Sequence, residues 1–493
     1  NRVGGEAPSQ IFGQLQANGQ VILVNPNGMV FGKDGSVSAA GFTGSTLNIS
    51  DADFMAGKER YTRSGTAAAT SAIVNRGLIQ AAPGGYVALL GASVSNEGRI
   101  EAPQGNVFMA AADAVTLPSQ ASTVGVPIGQ SGRIKLELTP ASINAAVANH
   151  KGGTIVTEGG QVYLQAAAVN AALASVLKSG SIDTTGVKGG QVHVLADGGH
   201  IRVDGSIKAN SNDGTAGGDI YIGRDKDTNV LAAVGDASGA RLESKGGFVE
   251  TSGSFLKTDG TRVIAKDWLL DPSDITISSS TNSNVTGTSP ADITPNGVDG
   301  TSSIVQVSTI QDAINQGTNV SIGTTNTLNP TGAGNITIAN ALAFTNNGAQ
   351  DATLSLIADN GITQNAAITT TGGSRLVNIS MTANGNFQGN TAASVNSRGL
   401  TLNAGITTNG NITLTGNNQS GATDGAGAGV CINPQTVNAG ASDVTITGTA
   451  TNGSGTFING VSTIRGRNIT ITGTSNTTAS NVSGIGVHLV RDS

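Results

Sequence analysis

Gly19-Gln20-Val21-Ile22-Leu23-Val24-Asn25-Pro26-Asn27-Gly28-Met29-Val30-Phe31-Gly32 sets two apolar β-type runs on either side of an Asn-Pro-Asn-Gly turn. Pro26 fixes φ near the value wanted at the second position of a β-turn. Asn25 can hydrogen-bond its own backbone to open the turn, and Asn27 and Gly28 tolerate positive φ. The stretch reads as strand, tight turn, strand.

Outward from it, a glycine pair followed by alternating residues recurs at Gly84-Gly85-Tyr86-Val87, Gly159-Gly160-Gln161-Val162, Gly189-Gly190-Gln191-Val192, Gly217-Gly218-Asp219-Ile220 and Gly246-Gly247-Phe248-Val249, the last four every 28 to 30 residues. A second unit alternates with it: Asn75-Arg76-Gly77-Leu78-Ile79, Asn96-Glu97-Gly98-Arg99-Ile100 and Asp204-Gly205-Ser206-Ile207. Self-similarity at a fixed period with short strands and glycine turns is the signature of a solenoid. Turn residues come too often for long hairpins, so each strand is expected to pair with its equivalent one coil away, at roughly 4.8 Å, with Val, Ile and Leu stacked inward. The predicted fold is all-β, a right-handed parallel β-helix with short helical and loop decorations.

Composition agrees. The chain has 493 residues, 71 glycines, 3% aromatics and 12% charged residues, and its apolar content is carried by Val, Ile, Leu and Ala, which suits many short strands. A formal charge of −6 leaves no basic stripe, so no nucleic-acid footprint is expected. Cys431 is the only cysteine, which excludes an intrachain disulfide framework, and it reads as a buried small apolar side chain. No apolar run of about 18 residues would span a membrane as a helix.

Three segments break the strand pattern and are expected as short helices or loops. Ser50 caps Asp51 to Ala56 before Gly57. Thr139-Pro140 opens Ala141 to Asn149, and Ser308 opens Thr309 to Gln316 before Gly317. Composition shifts near Asp267-Trp268-Leu269-Leu270-Asp271-Pro272, after which Asn, Thr, Gly and Ser dominate. There, Asn335-Ile336-Thr337-Ile338, Asn411-Ile412-Thr413-Leu414, Asp443-Val444-Thr445-Ile446 and Asn468-Ile469-Thr470-Ile471 keep the strand signal, and Asn and Thr aligned between coils are expected to form hydrogen-bonded ladders.

Catalytic chemistry is thinly represented. There are four histidines, and no H-E-x-x-H, P-loop or G-x-S-x-G. His193 and His200, either side of Gly198-Gly199, read as solvent-facing or ladder histidines in preference to a shared metal site. Some β-helices are polysaccharide lyases, and Arg224-Asp225-Lys226-Asp227 is the best local cluster for one; it reads instead as an exposed loop. Gly214-Thr215-Ala216-Gly217-Gly218-Asp219 reads as an inter-coil turn, and Gly425-Ala426-Gly427-Ala428-Gly429 as a flexible loop without the Lys-Ser/Thr of a phosphate cradle. Asn-x-Ser/Thr triplets at Asn48, Asn284, Asn319, Asn335, Asn378, Asn411, Asn468 and Asn481 follow from composition. No enzyme, cofactor or metal is expected.

The Asn25–Gly28 turn, with Asn1-Arg2-Val3 and Pro8-Ser9-Gln10-Ile11-Phe12-Gly13-Gln14-Leu15 before it and Gly41-Phe42-Thr43-Gly44-Ser45-Thr46-Leu47-Asn48-Ile49 after it, resembles the secretion domain of the filamentous-haemagglutinin family, the large exoproteins of two-partner secretion. The resemblance implies that Asn25, Pro26, Asn27 and Gly28 form the secretion motif and that an outer-membrane two-partner transporter receives the domain. It further implies that coil-by-coil folding outside the cell draws the chain through. Asn1 aligns with the middle of that domain, so an internal piece is expected. On this reading residues 1–120 are the C-terminal part of the secretion domain, 121–266 continue the β-helix, and 267–493 form Asn/Thr/Gly-rich repeats. The implied role is a secreted surface adhesin for host-cell, polysaccharide or neighbouring-cell surfaces in attachment, aggregation or biofilm formation. Its rods are candidates for self-association. The alternatives are a delivery stalk for haem acquisition or a contact-dependent toxin and, remotely, a polysaccharide lyase.

Overall fold

The computed structural model describes residues 1–64, 71–118, 134–138, 144–171, 174–226, 228–281, 285–286, 294–295, 302–324, 334–385, 399–419, 427–476 and 484–490. The chain divides into two compact units, Asn1–Gly253 with Val285–Thr294, and Ser254–Asn284 with Pro295–Ser493. Each is a parallel β-helix.

In the first unit every coil contributes a strand to each of three parallel ladders. The first ladder runs through Gln20–Val24, Gly41–Ser45, Tyr86–Gly91, Asn106–Ala111, Gln161–Ala166, Gln191–Ala196, Asp219–Ile222 and the end of Arg241–Ser252. Its register is unbroken: Val21, Phe42, Val87, Val107, Val162, Val192, Ile220 and Val249 form one column. The second ladder stacks Leu15, Val37, Ile79, Ile100, Ile155, Ile182, Ile207 and Leu242 in the same way. The third stacks Met29, Ile73, Val94, Val147, Val176 and Ile201. From Phe42 through Ile201 these side chains have almost no solvent contact, because β-branched residues at alternate positions fill a narrow interior where a parallel strand repeats the same side chain every coil.

The recurring glycines keep the coils in contact at the corners. A Cβ on Gly105 would overlap the carbonyl oxygen of Gly85, one on Gly160 that of Gly105, and one on Gly218 that of Gly190. The second glycine of each pair is thus required by close stacking of backbones. On the third ladder Asn75, Asn96, Asn149 and Lys178 share one register position, all fully buried. Asn75 Nδ2 donates to Asn96 Oδ1 at 2.8 Å, and Asn96 Nδ2 to Asn149 Oδ1 at 2.8 Å. Lys178 Nζ ends the column by donating to Gly180 O at 2.8 Å and to Ser206 O.

Outside the coils, a 4-stranded antiparallel flap joins Asn48–Ile49, Arg60–Thr62, Ala114–Thr116 and Lys135–Glu137. Ile49, Tyr61, Val115, Leu117 and Ile134 bury themselves against Ala88, Leu90, Phe108, Ala110 and Tyr163, so the outer face of the first ladder carries a second core. Helix α1 (Asp51–Met55) lies within this insertion, capped by Ser50, whose Oγ accepts from Asp53 N at 3.0 Å, with Gly57 at φ +64° beyond it.

The second unit has a long ladder, Arg262–Asp271, Asn319–Thr324, Ala352–Ala358, Val377–Ala383, Ile412–Asn418, Val444–Ala450 and Ile469–Ser475, with the column Trp268, Val320, Leu354, Ile379, Ile412, Val444 and Ile469. A 5-stranded ladder runs from Leu342–Phe344 to Thr463–Arg465. The third runs from Phe255–Lys257 to Val487–Val490. Amide ladders link its coils: Asn360 Nδ2 to Asn335 Oδ1 at 3.0 Å, Asn403 Nδ2 to Asn365 Oδ1 at 2.8 Å, and Asn433 to Asn403. Helix α2 (Val307–Asn315) buries Val307, Ile310, Ala313 and Ile314.

Several expectations change. Ala145–Asn149 is a strand with Ala145, Val147 and Asn149 inward, where a helix or loop was expected; pairing with Ser93–Asn96 and Ala174–Lys178 overrides alanine's helical preference. Residues 139–143 of that expected segment lie outside the described residues. Ser308 lies inside α2, which begins after Gln306 without a side-chain cap. Arg224 and Asp225 are not an exposed loop, since Arg224 Nε meets Glu250 Oε1 at 2.6 Å and Asp225 is buried; Asp227 lies outside the described residues. Gly429 packs tightly, with Thr449 backbone where a Cβ would sit, so this end of the expected flexible loop is a close contact; 425 and 426 lie outside the described residues. Cys431 is fully buried.

Candidate functional site

Asn25, Pro26, Asn27 and Gly28 turn the chain from the first ladder, ending at Val24, to the third, beginning at Met29. Gly28 N donates to Asn25 O at 3.1 Å, closing the β-turn, and Asn27 N donates to Asn25 Oδ1 at 2.9 Å, the predicted bond of an asparagine to its own turn. Gly28 alone takes positive φ, +109°, and a Cβ there would lie 2.8 Å from Ala72 O; Asn27 stays in the ordinary region.

The two asparagines reach back to the preceding chain. Asn25, fully buried, donates through Nδ2 to Ala7 O at 3.0 Å and Ser9 Oγ at 2.9 Å, and Asn27 Nδ2 donates to Gly5 O at 2.7 Å. Ser9 N donates to Gly28 O at 3.0 Å, and Val24 exchanges backbone bonds with Asn1 and Val3 at 2.9 Å each. The corner therefore sutures residues 1–9 onto the coil that begins at Met29. Its asparagine side chains donate to two backbone carbonyls and the Ser9 hydroxyl, while Asn25 Oδ1 accepts within the turn, work for which an amide has both arms. Arg2 and Asp51 pair at 2.7 Å beside it. Sequence reading found the turn but missed Gly5, Ala7 and Ser9, because two of them contribute only carbonyl oxygens, which leave no residue-type signal.

The other candidates are dispersed. His193 stands in the first ladder and His200 in the third, both buried. His193 stacks between Tyr163 at 4.2 Å and Tyr221 at 5.0 Å, in a pile that continues to Phe108 and Phe248. Among the described residues no three His, Cys, Asp or Glu side chains gather as a metal-binding group. Two buried carboxylates face arginines: Asp113 meets Arg63 at 2.7 Å and Asp236 meets Arg202 at 3.2 Å. Burial pushes the Lys178 amine down to about 7, only partly opposed by Asp204. It pushes the Glu59 carboxyl and the Tyr61 and Tyr86 phenols up.

The TPS (two-partner secretion) secretion domain model matches residues 1–222. The Heme/hemopexin-binding protein of Haemophilus influenzae is 31% identical over 134 residues, 26% of this chain and 15% of that protein, so the chain spans only a small part of that relative's length. The crystal structure of the HMW1 secretion domain from Haemophilus influenzae aligns over 96% of this chain and 85% of its own, at 16% identity and a TM-score of 0.32. Residues 1–222 form a TPS secretion domain, the module of the two-partner secretion exoproteins that are carried across the outer membrane to the cell surface or the extracellular space.

Proposed function

We propose that the first unit is the export module engaging an outer-membrane two-partner transporter, and that the Asn25–Gly28 corner fixes the coil on which the rest is built. The observation that carries this reading is the suture itself: buried Asn25 and half-buried Asn27 tie residues 5–9 to the next coil, giving emerging chain a formed edge to add to. Each added coil buries a further member of the Val21–Val249 column and adds ladder hydrogen bonds, which opposes backward slippage.

The exported protein is read as a surface adhesin, a structural and binding protein and not an enzyme, acting in attachment, aggregation or biofilm formation on host-cell, polysaccharide or neighbouring-cell surfaces. Supporting this, three buried carboxylates, Asp113, Asp236 and Glu250, serve the fold through arginine pairs. A second reading, a stalk for haem acquisition, is favoured by the likeness to the Heme/hemopexin-binding protein. Settling of cells lacking the full-length protein, beside parent and complemented strains, tests the two. Lost aggregation restored by the gene supports the adhesin; unchanged aggregation with impaired growth on hemopexin-bound haem supports the second reading. No change in either assay refutes both.

A further inference from the structure

Gln165, next to last in the strand Gln161–Ala166, Asp197, just past Gln191–Ala196, and Asp225, three residues past Asp219–Ile222, follow three successive strands of the first ladder and line one groove of about 470 Å³ beside the flap strand Lys135–Glu137. Gln165 is 3% exposed. Its Nε2 donates to Asp197 Oδ1 at 3.4 Å, while its Oε1, on the other arm of the same amide, accepts no hydrogen bond among the described residues. An amide oxygen buried without a donor is unfavourable unless something fills the place of that donor. Asp225, 4% exposed, accepts from Thr228 N at 3.4 Å. Ile134, Leu136 and Val230 give the groove an apolar wall, where attraction between opposite charges is stronger than in water. Lys135 also lines it, with Nζ 4.0 Å from Glu137 Oε1.

We propose that this groove binds a divalent cation of the calcium class, held by Gln165 Oε1 and the carboxylates of Asp197 and Asp225, with water completing the shell. An amide carbonyl and two carboxylates are hard oxygen donors. Calcium accepts such a mixed and irregular set, whereas magnesium demands near-octahedral order. With so few protein oxygens the affinity belongs to the weak class of extracellular modules, which fits an exported protein. No local motif marks the site because its members lie one coil apart, 32 residues between Gln165 and Asp197.

The test is calorimetric titration of calcium chloride into the whole chain after chelation, beside Gln165→Leu, Asp225→Asn and Gln165→Glu. The expected Kd is on the order of 10⁻⁴–10⁻³ M, at least about tenfold weaker in Gln165→Leu and Asp225→Asn, and tighter in Gln165→Glu, which adds a third carboxylate. Absence of binding up to about 10 mM calcium, or equal affinity in the parent and Gln165→Leu, overturns the proposal. If Gln165→Leu fails to fold, unchanged affinity in Gln165→Glu overturns it as well.

Discussion

Lys178→Met removes the one cation in the buried amide column. In the folded protein burial lowers the Lys178 amine from 10.5 to about 7. Below pH 7 both folded and unfolded chains hold the proton, and the folded state carries the full penalty of a buried ammonium. Between about 7 and 10.5 the unfolded chain still binds the proton and the folded one does not, so stability rises with pH across that window. At about 1.4 kcal/mol per pKa unit, the rise is on the order of 4–5 kcal/mol. The neutral amine keeps two N–H groups, enough for Gly180 O and Ser206 O. Urea unfolding followed by circular dichroism at pH 7 and pH 10 reads the effect, with fluorescence of Trp268, buried in the second unit, reporting that unit separately. Other titrating groups are common to parent and variant, so the difference between their pH responses isolates Lys178. The parent is expected to gain several kcal/mol on going to pH 10 and the variant to lose most of that gain. Equal pH responses would refute the reasoning.

Asn96→Leu breaks the bonds to Asn75 and Asn149 and leaves an amide donor and an amide oxygen stranded, a loss of about 2–5 kcal/mol in the same unfolding assay. Gly160→Ala drives a Cβ into Gly105 O and is expected to cost at least about 1–3 kcal/mol, whereas Gly13→Ala, with open space at its Cβ, changes little; equal midpoints for the two would contradict the stacked-glycine account.

The fold was legible because its physical requirements repeat. The pairs ending in Gly160, Gly190 and Gly218 are spaced by the coil itself, since each must admit the carbonyl below it. The Asn-x-Gly units were visible as turns, but the buried ladder inside them was not, because Asn96 and Asn149 are 53 residues apart and nothing local says that the two amides meet. The flap escaped for the same reason: its strands are two or three residues long, and Arg60 finds Glu137 across 77 residues. Ala145–Asn149 was misread because the choice between helix and strand is made there by neighbouring coils. At the corner, Pro26 and Gly28 announce a turn, while the grip of Asn25 and Asn27 on Gly5, Ala7 and Ser9 belongs to tertiary structure.

The central claim is that this grip starts export. The most direct measurement is the amount of protein in the medium and in the cells for the double variant Asn25→Ala, Asn27→Ala, expressed with its transporter beside the parent. The substitutions delete the bonds to Gly5, Ala7 and Ser9 and the Asn25 Oδ1 acceptor of the turn, about 2–6 kcal/mol of local order. The account predicts normal synthesis with loss of the extracellular protein, whereas extracellular yield equal to the parent's would contradict it.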